Sequence, residues 1–162
     1  MKEVKAKSGT KVKARSTQKK LETHMPHSKA ALRSEAFARA LIDAKSCLDD
    51  RESLQRLFNE AAGKAAAVPK EAFKDSWAYL QTMLRLVRAH HRGEYDGVPD
   101  NTLLWIVAAL SYLVDPFDLI PDKTPFLGFV DDATVIEFVT DKTRQTLDGF
   151  MAWETTRAGA AL

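Results

Sequence analysis

The sequence has few of the features that mark secreted proteins. It contains one cysteine, Cys47, among 162 residues, so no disulfide can form within the chain and a reducing compartment is favoured. Its first thirty residues contain no apolar core segment of the kind that a secretory signal requires. We therefore expect a cytoplasmic protein. Cys47 lies on an otherwise apolar helical face, which favours a buried, unreactive thiol over a nucleophile.

Strand patterns are also missing. We find no run of alternating β-branched and polar residues bounded by turn residues, which a sheet would need. Seven glycines and six prolines are accompanied by long stretches rich in Ala, Leu, Glu, Lys and Arg, and such stretches favour helices. The sequence therefore predicts an all-α, single-domain bundle of about five helices, with a proline-rich apolar loop between the last two.

The net charge of +2 conceals an uneven distribution. Residues 1–20 carry eight Lys or Arg against one acid, a net charge of +7, whereas residues 21–162 carry sixteen against twenty-one, a net charge of −5. The first segment has too few large apolar side chains to offset the entropy cost of ordering. We predict a disordered basic tail over 1–27, a helical domain over 28–156 and a flexible C-terminus over 157–162.

Helical spacing of the apolar residues assigns the elements. The predicted helices span about 29–48, 51–67, 70–91, 102–114 and 131–155. Ser28 is the expected cap of the first helix, and Asp49 and Asp50 precede the second as its expected N-cap and first-turn acids. Gly93 is the expected C-cap of the third helix. Gly63, in the Ala-rich end of the second helix, suggests close helix packing there.

The fourth predicted helix is apolar on all sides, which is typical of either the centre of a bundle or a membrane span. Its length decides between the two. A helix of thirteen residues extends about 20 Å, which is short of the roughly 30 Å of bilayer hydrocarbon, and Asp115 and Pro116 end it. We therefore predict that it is the central helix of the bundle.

The connector after this helix carries a recognisable pattern. Residues 112–122 read Tyr-Leu-Val-Asp-Pro-Phe-Asp-Leu-Ile-Pro-Asp, and Pro125-x-Leu127-Gly128-x-x-Asp131-Asp132 follows. Over about 75–155 the chain resembles the YkvA-like family, a small bacterial domain of unknown function. The resemblance implies no established enzymatic activity, and members of that family look either membrane-associated or soluble. Apolar residues are usual in the family where this chain has Lys123 and Thr124, which argues against a loop tip that enters lipid.

The aspartates of the pattern allow two interpretations. As structural groups, they would accept hydrogen bonds from loop N–H groups or cap the last helix, which we expect to begin at Asp131 or Asp132. As ligands, the carboxylates would hold Mg²⁺ or Ca²⁺. The structural motif comprises Asp115, Pro116, Asp118, Leu119, Ile120, Pro121, Asp122, Pro125, Gly128, Asp131 and Asp132. The alternative metal site comprises Asp115, Asp118, Asp122, Asp131 and Asp132.

Three functions follow from these features. The first, which we favour because no nucleophile–base set is apparent, is a non-catalytic interaction or scaffolding module that engages a protein partner or an anionic membrane surface. The second is a hydrolase that uses a divalent metal held by the aspartates. The third is weak, sequence-independent nucleic-acid binding through the basic tail. The sequence alone fixes neither the partner nor the oligomeric state.

Overall fold

A computed structural model describes residues 35–114 and 128–161 of the chain. These two ranges contain helices and no strand, which confirms the predicted all-α fold. The predicted first helix is present from Glu35 onward, and the positions before it, including the Ser28 cap, lie outside the described residues. The helices are α1 Glu35–Asp49, α2 Arg51–Ala67, α3 Lys70–Phe73, α4 Ser76–His91, α5 Asp100–Val114 and α6 Gly128–Ala160.

Helix α5 is the centre of the bundle, as its apolar composition predicts. It packs against α1, α2, α4 and α6, so neighbours cover it on every side. Most of its side chains are buried as a result: Leu103, Ile106, Val107, Ala108, Ala109, Leu110, Ser111, Tyr112 and Leu113. The absence of a polar face on α5 is therefore explained by its position in the bundle.

Small residues occupy the buried faces of α1 and α2. Ala40 and Ala44 of α1 and Ala61 and Ala65 of α2 are all buried, and their short side chains let the helix axes approach closely. Gly63 is exposed, and a Cβ atom built on it would meet nothing within 4 Å. The Ala-rich end of α2 is thus packed into the core through Ala61 and Ala65, whereas Gly63 lies on the opposite face and takes no part in that packing.

Helix α2 has the predicted bounds and the predicted cap. Asp50 adopts an extended backbone conformation, with φ −130°, and its carboxylate accepts hydrogen bonds from the backbone N–H groups of Glu52 and Ser53. The Ser53 N–H lies 3.1 Å from Asp50 Oδ2. Two of the N–H groups that have no partner within the helix are thereby satisfied.

The helix predicted over 70–91 is two helices, α3 and α4, which are separated by a turn at Lys74. Lys74 has φ 47° and ψ −126°, a conformation that favours glycine because the Cβ atom crowds the backbone. The Ser76 hydroxyl donates to the Phe73 carbonyl at 2.7 Å and so stabilises the turn. The turn directs Phe73 into the core, where its side chain is 1% exposed.

Helix α4 ends as the sequence predicts. Gly93 has φ 69°, and its N–H donates to the carbonyl of His90 at 2.9 Å. The Glu94 N–H donates to the carbonyl of Ala89 at 2.9 Å. These two bonds are those of a Schellman motif, in which a left-handed residue, most often glycine, reverses the chain.

The last helix is longer than predicted at both ends. It begins at Gly128 instead of Asp131 or Asp132, and it continues to Ala160 instead of ending near Thr155. Helices α4 and α6 run side by side in the same direction, because Tyr79 in α4 contacts Asp148 in α6 while Arg85, further along α4, contacts Glu154. We call this line of contacts the α4–α6 seam.

Candidate functional site

The structure describes only part of the motif that the sequence singles out. Asp115, Pro116, Asp118, Leu119, Ile120, Pro121, Asp122 and Pro125 lie outside the described residues. Gly128 is the first residue of α6 and Asp131 lies in its first turns. Asp132 is the aspartate of the motif whose side chain the structure describes, and its contacts show how the motif joins the bundle.

Asp132 is 1% exposed, and its Oδ2 atom lies 3.8 Å from Nζ of Lys64. Lys64 belongs to α2 and keeps 23% of its side-chain surface exposed. A buried carboxylate is costly unless a counter-charge or hydrogen bonds compensate for lost solvation. The Lys64 ammonium supplies such a charge while its other side faces solvent, so the pair joins α2 to the start of α6.

The predicted capping role of Asp131 and Asp132 is wrong. Because α6 begins at Gly128, both aspartates lie within the helix and neither occupies the N-cap position. The backbone N–H groups that an N-cap side chain satisfies are those of the first turn, which begins at Gly128. For Asp132 the observed role is an ion pair between two helices, which still serves structure.

The metal interpretation stays a prediction. Within 35–114 and 128–161, no group of three or more His, Cys, Asp or Glu residues is arranged to hold a metal ion. The side chains of Asp115, Asp118, Asp122 and Asp131, however, are not among those described.

An arginine-rich cavity lies at the far end of the α4–α6 seam. We call it the arginine groove, and it encloses about 420 Å³. Arg85, Arg88 and Arg92 reach it from α4 and the segment after it, and Arg157 reaches it from α6. Glu94 and Glu154 also line it, so these six side chains give the groove a net charge of +2.

Ion pairs hold three of the four guanidinium groups in place. Arg85 forms a two-pronged pair with Glu154, with Nε–Oε1 and Nη2–Oε2 distances of 2.8 and 3.1 Å. Glu94 lies 3.3 Å from Arg157 and 4.0 Å from Arg92. Arg88 is exposed, and within the part of the chain that the structure describes it has no acidic partner within 4 Å. Arg88 is thus the cation of the groove that is best placed to meet an external anion.

An aromatic cluster of Tyr95, Phe150 and Trp153 packs beside the arginine groove, and the last two line it. The Trp153 ring lies 4.9 Å from the Tyr95 ring and 5.4 Å from the Phe150 ring, measured between centroids. The Arg157 guanidinium lies 5.1 Å from the centroid of Trp153, which is a favourable cation–π distance. Phe150 is buried while Trp153 is half-buried, so Trp153 presents an apolar surface beside the arginines.

The sequence alone does not predict this groove. It contains only part of the necessary information: Arg85, Arg88 and Arg92 recur at a spacing of three and four residues, so they share one face of a helix. Arg157 is 65 residues after Arg92 in the numbering, and its arrival at the same place follows only from the parallel packing of α4 and α6.

The described helices also bear on membrane association. In the ranges 35–114 and 128–161, none is both long enough and apolar enough to cross a bilayer.

Comparisons with known proteins identify relatives of the chain. The family model described as "Protein of unknown function (DUF1232)" matches residues 102–138, which contain the whole motif. The chain is 32% identical over 93 residues to the "Uncharacterized membrane protein YkvA" of Bacillus subtilis (strain 168), a match that covers 57% of this chain and 88% of that protein. The search of solved structures gives no match.

Proposed function

The chain belongs to the YkvA-like DUF1232 family, and on that premise we propose that it is a non-catalytic helical module that associates peripherally with an anionic membrane surface. The observation that carries the proposal is the arginine groove, where four arginines and the half-buried Trp153 line one cavity. The name of the Bacillus subtilis relative, "Uncharacterized membrane protein YkvA", supports the same location.

The charge distribution supports contact between the arginine groove and an anionic membrane. Residues 21–162 are mildly acidic, with a net charge of −5, so a positive surface within them must be local. The arginine groove is such a surface, and the sequence adds a net charge of +7 in residues 1–20. Each basic residue near an anionic bilayer contributes about 1 kcal/mol to binding, so the two regions together supply a substantial attraction.

The side-chain types in the groove suit the membrane–water interface. Tryptophan is enriched there because its ring is amphipathic. Arginine can lay its apolar stem on a hydrophobic surface while its guanidinium meets phosphate oxygens, often with two hydrogen bonds. Arg157 already stacks against Trp153, so the pair is preorganised for such a contact.

The titratable groups give no support to catalysis. Catalytic sites bring together groups whose pKa values are shifted by their neighbours. Burial and the nearby Asp43 raise the pKa of the Cys47 thiol, which keeps it protonated. Burial lowers the pKa of His91, with added effects from Arg51 and Arg92. Cys47 lies on α1 and His91 is the last residue of α4, and among the described residues no hydrogen bond joins them as an acid–base pair.

Sedimentation with lipid vesicles tests the proposal. The intact chain is mixed at low salt with vesicles of phosphatidylglycerol and, separately, of phosphatidylcholine. We expect binding to the anionic vesicles alone, and a decline in binding as salt is added because screening weakens the attraction. Equal binding to both lipids, or no binding to either, would contradict the proposal.

Charge-reversal variants locate the surface. Arg88→Glu combined with Arg92→Glu removes two cations from the groove and should lower affinity at least roughly 30-fold, from about 1 kcal/mol for each lost arginine. The matched control is Arg56→Glu combined with Lys45→Glu, which changes the net charge by the same amount at two exposed positions that do not line the groove. An equal loss in the control would show that only net charge matters.

A further inference from the structure

A second cavity lies at the opposite end of the α4–α6 seam, and its chemistry differs from that of the arginine groove. It encloses about 520 Å³, within the usual range for small-molecule sites. One wall comes from residues 71–79 and the other from residues of α6 between Ala133 and Arg144. We call it the acidic groove, because four carboxylates line it: Glu71, Asp75, Glu137 and Asp141.

One of the two cations in the acidic groove is already engaged. Arg144 donates to Asp141 at 2.8 Å and to the Tyr79 hydroxyl at 3.0 Å. Its hydrogen bond to the Asp141 carboxylate is the main cause of the raised pKa of Arg144. Within the described ranges, Glu71, Asp75 and Glu137 form no ion pair within 4 Å. Three carboxylates therefore face the groove with Lys74 as the remaining cation.

Helix dipoles do not account for all of these carboxylates. Asp75 directly precedes α4, where a negative charge is favoured by the exposed N–H groups of the helix. Glu137 and Asp141 lie nine and thirteen residues after the start of α6, beyond the first turn to which that effect is confined. Asp141 is paired with Arg144, which leaves Glu137 as the α6 carboxylate of the groove that neither a helix end nor an ion pair among the described residues accounts for.

Thr140 provides an independent indication of a ligand. It lines the acidic groove, is 2% exposed, and its hydroxyl has no hydrogen-bond partner in the described part of the chain. The other buried threonines differ, because Thr82 and Thr143 donate to the carbonyls of Ala78 and Val139, four residues earlier. A buried hydroxyl without a partner is costly, and a ligand donor in the groove would remove that cost.

The arrangement of the carboxylates indicates the kind of cation. A single metal ion needs several ligands around one point, and no three acidic, His or Cys side chains among the described residues are so arranged. Carboxylates that are spread along a groove suit a cation whose charges are also spread. An ammonium group offers three donors, which can be shared between a carboxylate and the Thr140 hydroxyl.

We propose that the acidic groove binds a linear aliphatic polyamine, with one ammonium group donating to the Thr140 hydroxyl and to Glu137 and a second reaching Glu71 or Asp75. The apolar methylene chain would lie along the Tyr79 ring, which also lines the groove. This activity is separate from membrane association, because the groove and the arginine groove share no residue.

Titration calorimetry of the full chain with spermidine at low ionic strength tests this proposal. We expect saturable binding of one spermidine, with Glu137→Gln weakening it about fivefold and Thr140→Val about tenfold. Glu60→Gln and Thr143→Val are the matched controls, since neither Glu60 nor Thr143 lines the acidic groove, and both should leave the affinity within twofold. Thermal unfolding of each variant verifies that it is folded.

Three results would overturn the proposal. These are the absence of saturable heat with spermidine, binding by both groove variants as tight as that of the unaltered chain, and binding of Mg²⁺ at matched ionic strength with the same affinity and the same response to Glu137→Gln. The last result would mean that the groove attracts any cation by charge alone.

Discussion

The Lys64 ammonium lies 3.8 Å from the buried Asp132 carboxylate. The two residues are 68 positions apart in the sequence, and their ion pair connects α2 to α6. Asp132 is the last residue of the motif that marks the family. Its neighbours in the sequence suggested a cap or a metal ligand, whereas the structure gives it an ion-pair partner on α2. The motif is thus tied into the bundle by a charge that is hidden from solvent.

Removal of the Asp132 carboxylate should destabilise the fold. Loss of one partner from a fully buried pair costs about 3–5 kcal/mol, and because Lys64 is partly exposed we expect about 2–3 kcal/mol for Asp132→Ala. Urea unfolding measures this change in the free energy of unfolding. A double-mutant cycle with Lys64→Met isolates the part that belongs to the pair.

The control for this prediction is the more exposed pair Arg85–Glu154, in which 48% and 29% of the side-chain surface is exposed. Glu154→Gln should cost no more than about 1 kcal/mol, since solvent screens such pairs. If Asp132→Ala costs as little as Glu154→Gln, burial does not give the Lys64–Asp132 pair its importance.

Lys74→Gly should stabilise the protein. Lys74 holds φ 47°, and relief of that strain contributes about 1–3 kcal/mol, from which the greater flexibility of glycine in the unfolded chain subtracts about 0.5–1 kcal/mol. We expect a net gain of about 1 kcal/mol in thermal or urea unfolding. Lys45→Gly, an exposed position inside α1, should instead destabilise by about 1 kcal/mol. A loss of stability at both positions would show that Lys74 is not strained.

Asp50→Asn should remove a pH dependence of stability while keeping most of the cap. Hydrogen bonds from Ser53, first from its hydroxyl and then from its backbone N–H, lower the pKa of Asp50 in the folded state. A carboxyl with a lowered folded-state pKa stabilises above its unfolded-state pKa, about 3.9, and that contribution is lost as the pH falls through the lower folded value. Asparagine caps helices well but does not titrate in this range.

Thermal unfolding between pH 2 and pH 6 measures this effect. The unaltered chain should lose more stability over the acid end of that range than Asp50→Asn, whereas Asp50→Ala should be less stable than both at pH 6 because its cap is gone. Parallel curves for the unaltered chain and Asp50→Asn would contradict the assigned role of the carboxylate.

Local chemistry made much of the fold predictable. The apolar composition of α5 and its limited length correctly placed it at the centre of the bundle. Asp50 before α2 and Gly93 after α4 marked real helix ends, because a cap depends on residues within a few positions of one another. The motif around residues 112–132 correctly indicated the family.

The errors arose where distant residues or strain decide the structure. No glycine or proline marks the turn at Lys74, so the pattern of apolar residues ran unbroken from 70 to 91. The pairing of Asp132 with Lys64 and the meeting of Arg157 with the arginines of α4 depend on tertiary packing, which no local pattern encodes. Gly128 began α6 earlier than the aspartates suggested, since a glycine is not a distinctive helix start.

The fluorescence of Trp153 tests the central claim most directly. The chain has three tryptophans, and the double variant Trp77→Phe and Trp105→Phe leaves Trp153 as the reporter in the arginine groove. On addition of phosphatidylglycerol vesicles with brominated acyl chains, we predict a blue shift and quenching of its emission. An unchanged spectrum while the protein sediments with those vesicles would contradict membrane contact through this groove.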